Sequence, residues 1–435
     1  MGSKTNPIAI ASEGKSTMGM IRRAMVISSR YGVTAGRMKS ILDRFADILE
    51  EFECGATFTI PAVALGRGHA TIRSFSEHNI EFAVHGNDHI DHTRLSLDAQ
   101  RNAFYTAREV FDKHGLAADG YRGPYLRWNE DTIAALSQTG FLYDGTQALT
   151  WPVREELQTA AYLRALEFYR AIPAQDFPAL PAWTDGLVRI PYCLPDDEAL
   201  VDRFRLEETA PMAELWLGIL EQTYRQGEIF TLGLHPERLP QCAEALWETL
   251  HEARSLSPAV WITRLDEVAR WWKARSQSNV NITVHNGDEF ELNVQGPPGT
   301  LLLARALETT PAGEPWSDGY YRMPGLVVRL VCGQRPFIGV SPHSSSALVN
   351  FLRQQGYIVE LSEQPQEYSL YLDRAEFTTQ DERRTLELIE QDSTPLVRLS
   401  RWPNGAKSAL VVTGDIDALT IWDYVYRISR TGEDE

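Results

Sequence analysis

The sequence predicts an α/β protein whose core is a parallel sheet curled into a barrel, with an accessory module inserted before the last strand. Three observations predict it. Apolar strands and amphipathic helices alternate from Arg23 to about Lys273, as in a parallel sheet or barrel. After Ser276 the pattern changes to period-two alternation, with Asn-Gly and Pro-Pro-Gly turns, which is antiparallel β. At 405–428 an apolar strand running into a helix returns.

The elements follow in order. Residues 1–20 are small and polar and read as a flexible tail. AMVISS (24–29) is a short apolar strand. Over 35–52 the spacing of Ile41, Leu42, Phe45, Ile48, Leu49 and Phe52 predicts a helix with one apolar face. GATFTIPAV (55–63) and IEFAVHG (80–86) are strands, with a helix near 70–78 between them. A helix over 97–115 stops at a glycine, and 119–125 is a strand entering a Pro turn. Asn129 caps a helix over 129–140. Strands at 187–195, 227–237 and 259–265 precede a closing helix at 265–276. Within the module, 278–303 is antiparallel β, 335–373 is strand, helix, strand and strand, and 381–391 is a helix. The expected division is a tail (1–20), a barrel (21–276), an accessory β-rich and α/β module (277–400), and a strand–helix segment (401–435) that completes the barrel.

Composition narrows the function. A net charge of −17 argues against nucleic acid or an anionic membrane as partner, since both need clustered positive charge. Cys54, Cys193, Cys242 and Cys332 form no CxxC pair and read as free thiols. The N-terminal stretch lacks the apolar core of a signal peptide, and no stretch is apolar enough to span a membrane. The expectation is a cytoplasmic protein acting on a small molecule or carbohydrate; a homo-oligomer is left open.

The chemistry concentrates in EFAVHGNDHIDHTRLS, where His85 and His89 stand four apart just beyond an apolar strand. Two neutral imidazoles so placed can reach one metal ion, although a bare pair of this spacing is more often a solvated polar turn. Asp88, Asp91 and His92 add metal-capable groups. Glu81, His85, Gly86, His89, Leu95 and Ser96 fit, in order, the second motif of the polysaccharide deacetylases, the NodB-homology or carbohydrate-esterase-4 family, which this chain resembles. GYRGPYLRWNEDT (120–132) resembles the third motif, FLYDGTQALTWPV (141–153) the fourth, and IFTLGLHPERL (229–239) the last.

The resemblance implies a distorted (β/α) barrel of the NodB type and roles for named residues. Arg122 would contact the catalytic carboxylate and Asp144 would orient Arg122. Tyr125 and Trp151 would line the substrate pocket, and His235 would be the general acid. The family's first motif, an apolar strand ending in paired aspartates, is broken here. Arg30 and Tyr31 stand where the two carboxylates belong. ALVVTGDIDALTIWDY (409–424) resembles an Asp-x-Asp form of that motif. The expectation is that this strand folds back beside the His85 strand, with Asp415 as base and Asp417 as third metal ligand. Alternatively, these aspartates only cap the following helix.

The implied activity is metal-dependent hydrolysis of a C–N amide bond, with N-deacetylation of an acetamido sugar in carbohydrate or glycoconjugate metabolism as the leading case. Zinc is the first choice of ion, and cobalt, nickel or iron suit the same donors. Three alternatives stand beside it. They are an allantoinase-like hydrolase of a small cyclic or linear amide, a non-catalytic carbohydrate-binding or scaffold protein, and a glycosyltransferase using Asp415-Ile416-Asp417 as its Asp-x-Asp.

Overall fold

The structure, a computed structural model, describes residues 30–285 and 287–431. The tail expected over 1–20, the strand over 24–29 and Asn286 of the Asn-Gly turn lie outside the described residues. Alternation begins with α1 (Gly36–Glu51), which buries Ile41, Leu42, Phe45, Ile48 and Leu49 along its apolar face. β1 (Ala56–Ile60) ends at Pro61, which has no N–H for the ladder and whose φ of −60° starts α2 (Ala62–Arg73). The helix expected near 70–78 therefore begins at Ala62. β2 (Ile80–Val84), α3 (Leu97–Lys113), β3 (Gly120–Tyr121) and α4 (Glu130–Gln138) follow. The Asn129 side chain accepts from Thr132 N and caps α4.

Next come β4 (Tyr143–Asp144), β5 (Ala148–Thr150), α5 (Ala160–Tyr169), β6 (Ile172–Pro173), β7 (Ala182–Thr184), β8 (Leu187–Arg189) and β9 (Tyr192–Leu194). The single strand expected over 187–195 is thus two, broken at Pro191. Then α6 (Thr209–Gln226), β10 (Ile229–Gly233), α7 (Leu239–Ser255), β11 (Val260–Thr263) and α8 (Leu265–Ser276) complete the alternation.

Residues 277–400 hold β12 (Asn279–Val284), β13 (Glu289–Gln295), β14 (Leu302–Arg305), β15 (Glu308–Thr310), β16 (Glu314–Pro315), β17 (Tyr320–Arg322), β18 (Val327–Val331), β19 (Arg335–Val340), α9 (Ser346–Gln354), β20 (Val359–Leu361), β21 (Tyr368–Leu372), α10 (Thr379–Gln391) and β22 (Leu396–Leu399). They form two antiparallel four-stranded sheets, β12-β13-β18-β15 and β16-β17-β14-β22, and a parallel three-stranded sheet, β20-β19-β21. The chain ends with β23 (Ser408–Asp415) and α11 (Ile421–Thr431).

The main sheet has twelve strands in the order β6-β5-β9-β10-β23-β1-β2-β3-β4-β8-β7, with β11 also paired to β23. Every pairing in it is parallel except β7 with β8. It is the distorted NodB-type barrel expected, a curled half-barrel, and its central strand comes from the end of the chain. All eight residues of β23 are buried. Leu410 and Val412 join the core under α1, α6 and α7. Ala409 and Val411 join the other core with Trp271 and Trp272 of α8 and Ile338 and Val340 of β19. Two buried faces explain why the strand reads as a continuous apolar run. Each buried Leu or Val contributes about 1.5–3 kcal/mol.

Candidate active site

Register assembles the site. In the main sheet Asp415 lies opposite Thr59, Thr413 opposite Gly233, Ile60 opposite Val84, Val84 opposite Tyr121, and Tyr121 opposite Asp144. His235, Asp415, His85 and Arg122 therefore emerge together at the carboxyl ends of adjacent parallel strands, where α/β sheets open a crevice for ligands. Gly414 allows the approach, because a Cβ there would overlap the carbonyl of Leu234. Gly86 turns the chain after His85 with φ +77, and a Cβ on it would strike His92.

His85 Nδ1 lies 2.8 Å from the carbonyl oxygen of Arg122. A carbonyl only accepts, so Nδ1 carries the proton and Nε2 presents its lone pair. That Nε2 is 3.6 Å from Asp417 Oδ1 and 3.9 Å from Asp415 Oδ2. His89 Nε2 is 3.3 Å from the same Asp417 Oδ1. Burial drives both imidazoles toward the neutral form: the His85 pKa falls below its usual value against the pull of Asp415 and Asp417. The His89 pKa falls to about 4, from burial and then from Arg427. Asp417 is held well below the carboxylate range, because Arg427 and the imidazoles outweigh its burial.

Asp415 is tied in place. Its Oδ1 accepts from Thr59 Oγ1 at 2.6 Å and from Arg122 Nη1 at 2.8 Å. Burial would raise its pKa, but Arg122, His85 and His235 hold it well below the usual range, so it stays ionised. Arg122, 1% exposed, also donates to Gly145 O and Thr413 Oγ1 and lies 4.6 Å from the Tyr192 ring centroid.

His235 has the opposite character. Its Nδ1 donates to Asp197 Oδ1 at 2.7 Å, and its backbone N to Asp197 Oδ2 at 2.6 Å. Burial works against its charged form, yet Asp197 prevails and raises its pKa well above 6.5, so it carries a proton at neutral pH. Asp196 alongside is pushed up to about 7, by burial and then by Asp197.

Other expected residues lie elsewhere. Asp144 does not orient Arg122; its Oδ1 takes Thr146 N and Oγ1, and its Oδ2 faces Arg189 Nε at 3.5 Å. An aspartate at a strand end satisfies the nearest backbone donor first, and Arg122 uses Gly145 O, Thr413 and Asp415 instead. Trp151 does not wall an open pocket: it is 3% exposed and packs into the main core. Tyr125 does stand at the site, with φ +60 and its ring edge-on to His89 at 4.6 Å. Asp91 caps the turn at Thr93, and Asp88 accepts from Tyr426. Arg30 pairs with Asp202 at 2.8 Å, and Tyr31 stacks on Tyr424 at 5.5 Å. Two important groups escaped the sequence reading. Asp197 carried a signal, since CLPDDE is itself an apolar stretch ending in paired acids. Arg427, paired with Asp417, carried none.

The donors at His85, His89 and Asp417 fit a divalent ion. Their ligand atoms lie within 4.8 Å of one another, and the buried Asp417 Oδ1 makes no hydrogen bond. Two imidazole nitrogens, that of His85 unprotonated, and one carboxylate oxygen around one point are a three-protein-ligand donor set of the kind that leaves a position open.

Fold and site define an α/β half-barrel protein with a histidine–aspartate cluster at the carboxyl ends of its parallel strands. Residues 33–143 match the family model described as polysaccharide deacetylase. The peptidoglycan deacetylase-like protein FGM2 of Gibberella zeae is 31% identical over 122 residues, 28% of this chain and 34% of that protein. The chain thus spans about a third of that relative's length. A putative polysaccharide deacetylase from Mycobacterium smegmatis is 27% identical, with a TM-score of 0.41, covering 53% of this chain and 76% of that one. Puue allantoinase is 20% identical, with a TM-score of 0.43, covering 54% and 72%. These matches support a polysaccharide deacetylase assignment for the region they cover.

Proposed function

We propose that this protein is a metal-dependent hydrolase of C–N amide bonds that removes the acetyl group from an acetamido sugar in carbohydrate or glycoconjugate metabolism. The observation that carries the proposal is the meeting of Asp417, from the end of the chain, with His85 and His89 at 3.6 and 3.3 Å. His85, His89 and Asp417 would hold the ion, zinc first, with cobalt, nickel or iron also suited. Such an ion supplies electrophilic assistance to the amide carbonyl and to the attacking water.

The chain's own groups do the rest. Asp415 is ionised at neutral pH and oriented by Arg122 and Thr59, so it is placed to take a proton from water as that water adds to the carbonyl carbon. The backbone N–H of Tyr125 is the proposed donor to the developing oxyanion. His235, protonated through Asp197, gives its proton to the departing nitrogen as the C–N bond breaks. Water, one proton taken by Asp415 and one given by His235 account for acetic acid and a free amine; the acid ionises to acetate on release, and proton exchange with solvent returns Asp415 to its ionised and His235 to its protonated form. A cytoplasmic site of action is part of the proposal; the four cysteines are all unpaired, as suits a reducing compartment.

The test is acetate release from N-acetylglucosamine oligomers together with metal content of the purified chain. We expect acetate release that a chelator stops and zinc restores. Asp415→Asn should retain the ion and lose about 10²–10⁴-fold in kcat/KM; Asp417→Asn should lose the ion. If both variants keep ion and activity, the assembled site is wrong. A chain that binds sugar but neither holds an ion nor releases acetate is a non-catalytic carbohydrate-binding protein.

A further inference from the structure

The metal cluster is overlaid by α11, whose attachment is more elaborate than a terminal helix requires. Asp423 Oδ2 accepts from Leu419 N, Thr420 N and Thr420 Oγ1, and Thr420 Oγ1 accepts from Asp423 N, a reciprocal cap on the helix start. Arg67 of α2 donates to Asp423 Oδ1 at 2.7 Å and lies 4.4 Å from the Tyr426 ring centroid. Tyr426 donates to Asp88 Oδ1 at 3.0 Å, in the loop that also carries His89. Ile421 N donates to Gly32 O at 2.9 Å. These ties reach α2, the His89 loop and the start of α1 from separate directions.

What the anchored helix delivers is Arg427. Its Nη1 donates to Asp417 Oδ2, the oxygen turned away from the imidazoles, while Oδ1 faces His85 and His89. The same guanidinium lies 6.0 Å from the ring centroid of Tyr125, which packs edge-on to His89. A free carboxylate can rotate or offer both oxygens to an ion. One whose second oxygen is committed to a charge-assisted hydrogen bond offers only one.

We propose that Arg427 is a positioning residue that fixes the Asp417 carboxylate, so that Oδ1 alone is presented with the His85 and His89 nitrogens to a divalent cation, and that α11 exists to hold it there. The inference rests on the metal site proposed above. Arg427 also places a positive charge beside that site, which by itself repels a cation. The sign of its effect on affinity therefore decides between orienting the ligand and competing for it.

The experiment is titration of the chelator-stripped full chain with Co²⁺, read by visible absorption, and with Zn²⁺ against a chromophoric chelator. Melting of the stripped protein is followed in parallel. Arg427→Met should weaken ion binding about 10–100-fold, the usual cost of losing a partner of a metal ligand, and Arg427→Lys should recover most of it. Arg67→Met loosens α11 without touching Asp417 and should weaken binding less than Arg427→Met. If the Met variant does not fold, Arg427→Gln takes its place. Unchanged or tighter binding in a folded Arg427 variant overturns the proposal, as does an equal loss in Arg67→Met. A parent chain that binds neither ion, with Asp417→Asn indistinguishable from it, refutes the metal site itself and the role of Arg427 with it.

Discussion

The cluster of His85, His89 and Asp417 and the cluster of Asp196, Asp197 and His235 each bring three donor atoms within 4.8 Å of one another, yet burial and neighbours drive their imidazoles in opposite directions. The difference lies in what each carboxylate is already doing. Asp415 is committed to Arg122 and Asp417 to Arg427, so burial prevails at His85 and His89 and both stay neutral, as metal ligands must. Asp197 spends both oxygens on His235, and there its charge overcomes burial. A histidine beside an acid is thus a candidate ligand or a candidate proton donor according to whether an arginine has claimed the acid first.

Breaking the second cluster should shift the pH profile of the reaction. Asp197→Asn removes the charge that keeps His235 protonated, so the His235 pKa should fall toward its ordinary value of about 6.5. Catalysis needs the protonated form, so the alkaline limb of the kcat/KM profile should move to lower pH, with about a 10–100-fold loss on its alkaline side. Stability carries the same sign. In the parent, a raised folded pKa stabilises fully below about pH 6.5, and that contribution fades as pH rises through the folded value. The stability gap between parent and variant should therefore be widest in acid and narrow as pH rises. An unmoved alkaline limb would mean that His235 is not the acid.

Much of this site was legible in the chain because its signals are local. His85 and His89 stand at the end of an apolar strand, and Asp415 and Asp417 end another; each pattern needs only a few residues to be seen. That the last strand would return to the sheet was legible only through the carboxylates missing at Arg30 and Tyr31; it was expected beside the His85 strand β2, but β1 stands between them and β23 pairs with β1, β10 and β11. Partners set by tertiary geometry were not legible. Arg427 reaches Asp417 because α11 turns back over the sheet, and nothing in YVYRISR marks it. Asp144 was misread because its nearest donors lie two residues on, at Thr146. The short strands β5, β6 and β7, of two or three residues each, hold too little pattern to announce themselves.

The first cluster can be sharpened through stability instead of rate. Burial, and then Arg427, lower the His89 pKa from its ordinary 6.5 to about 4 in the folded chain, so the unfolded chain binds the extra proton between those values. Stability from this residue is present above about pH 6.5 and is lost as pH falls toward 4. In the chelator-stripped protein it should cost about 2 kcal/mol between pH 7 and pH 5. Urea unfolding at the two pH values should show His89→Leu losing less stability on acidification than the parent by about that amount, whatever its stability at pH 7. Equal losses would mean that His89 is not buried neutral.

The smallest effect is expected at Asp144, which sequence alone would place among the catalytic residues. Asp144→Asn keeps an oxygen for Thr146 and leaves Gly145 O, Thr413 and Asp415 in place around Arg122. Its loss of charge falls on Arg189, which sits 3.9 Å over the Trp128 ring. Its kcat/KM should therefore stay within about threefold of the parent, far above Asp415→Asn, while any stability change should be about 1–3 kcal/mol, the cost of disturbing a buried ion pair's partner. A loss comparable to that of Asp415→Asn would mean that Arg122 depends on Asp144 during the reaction, through a rearrangement of the strand ends around Gly145.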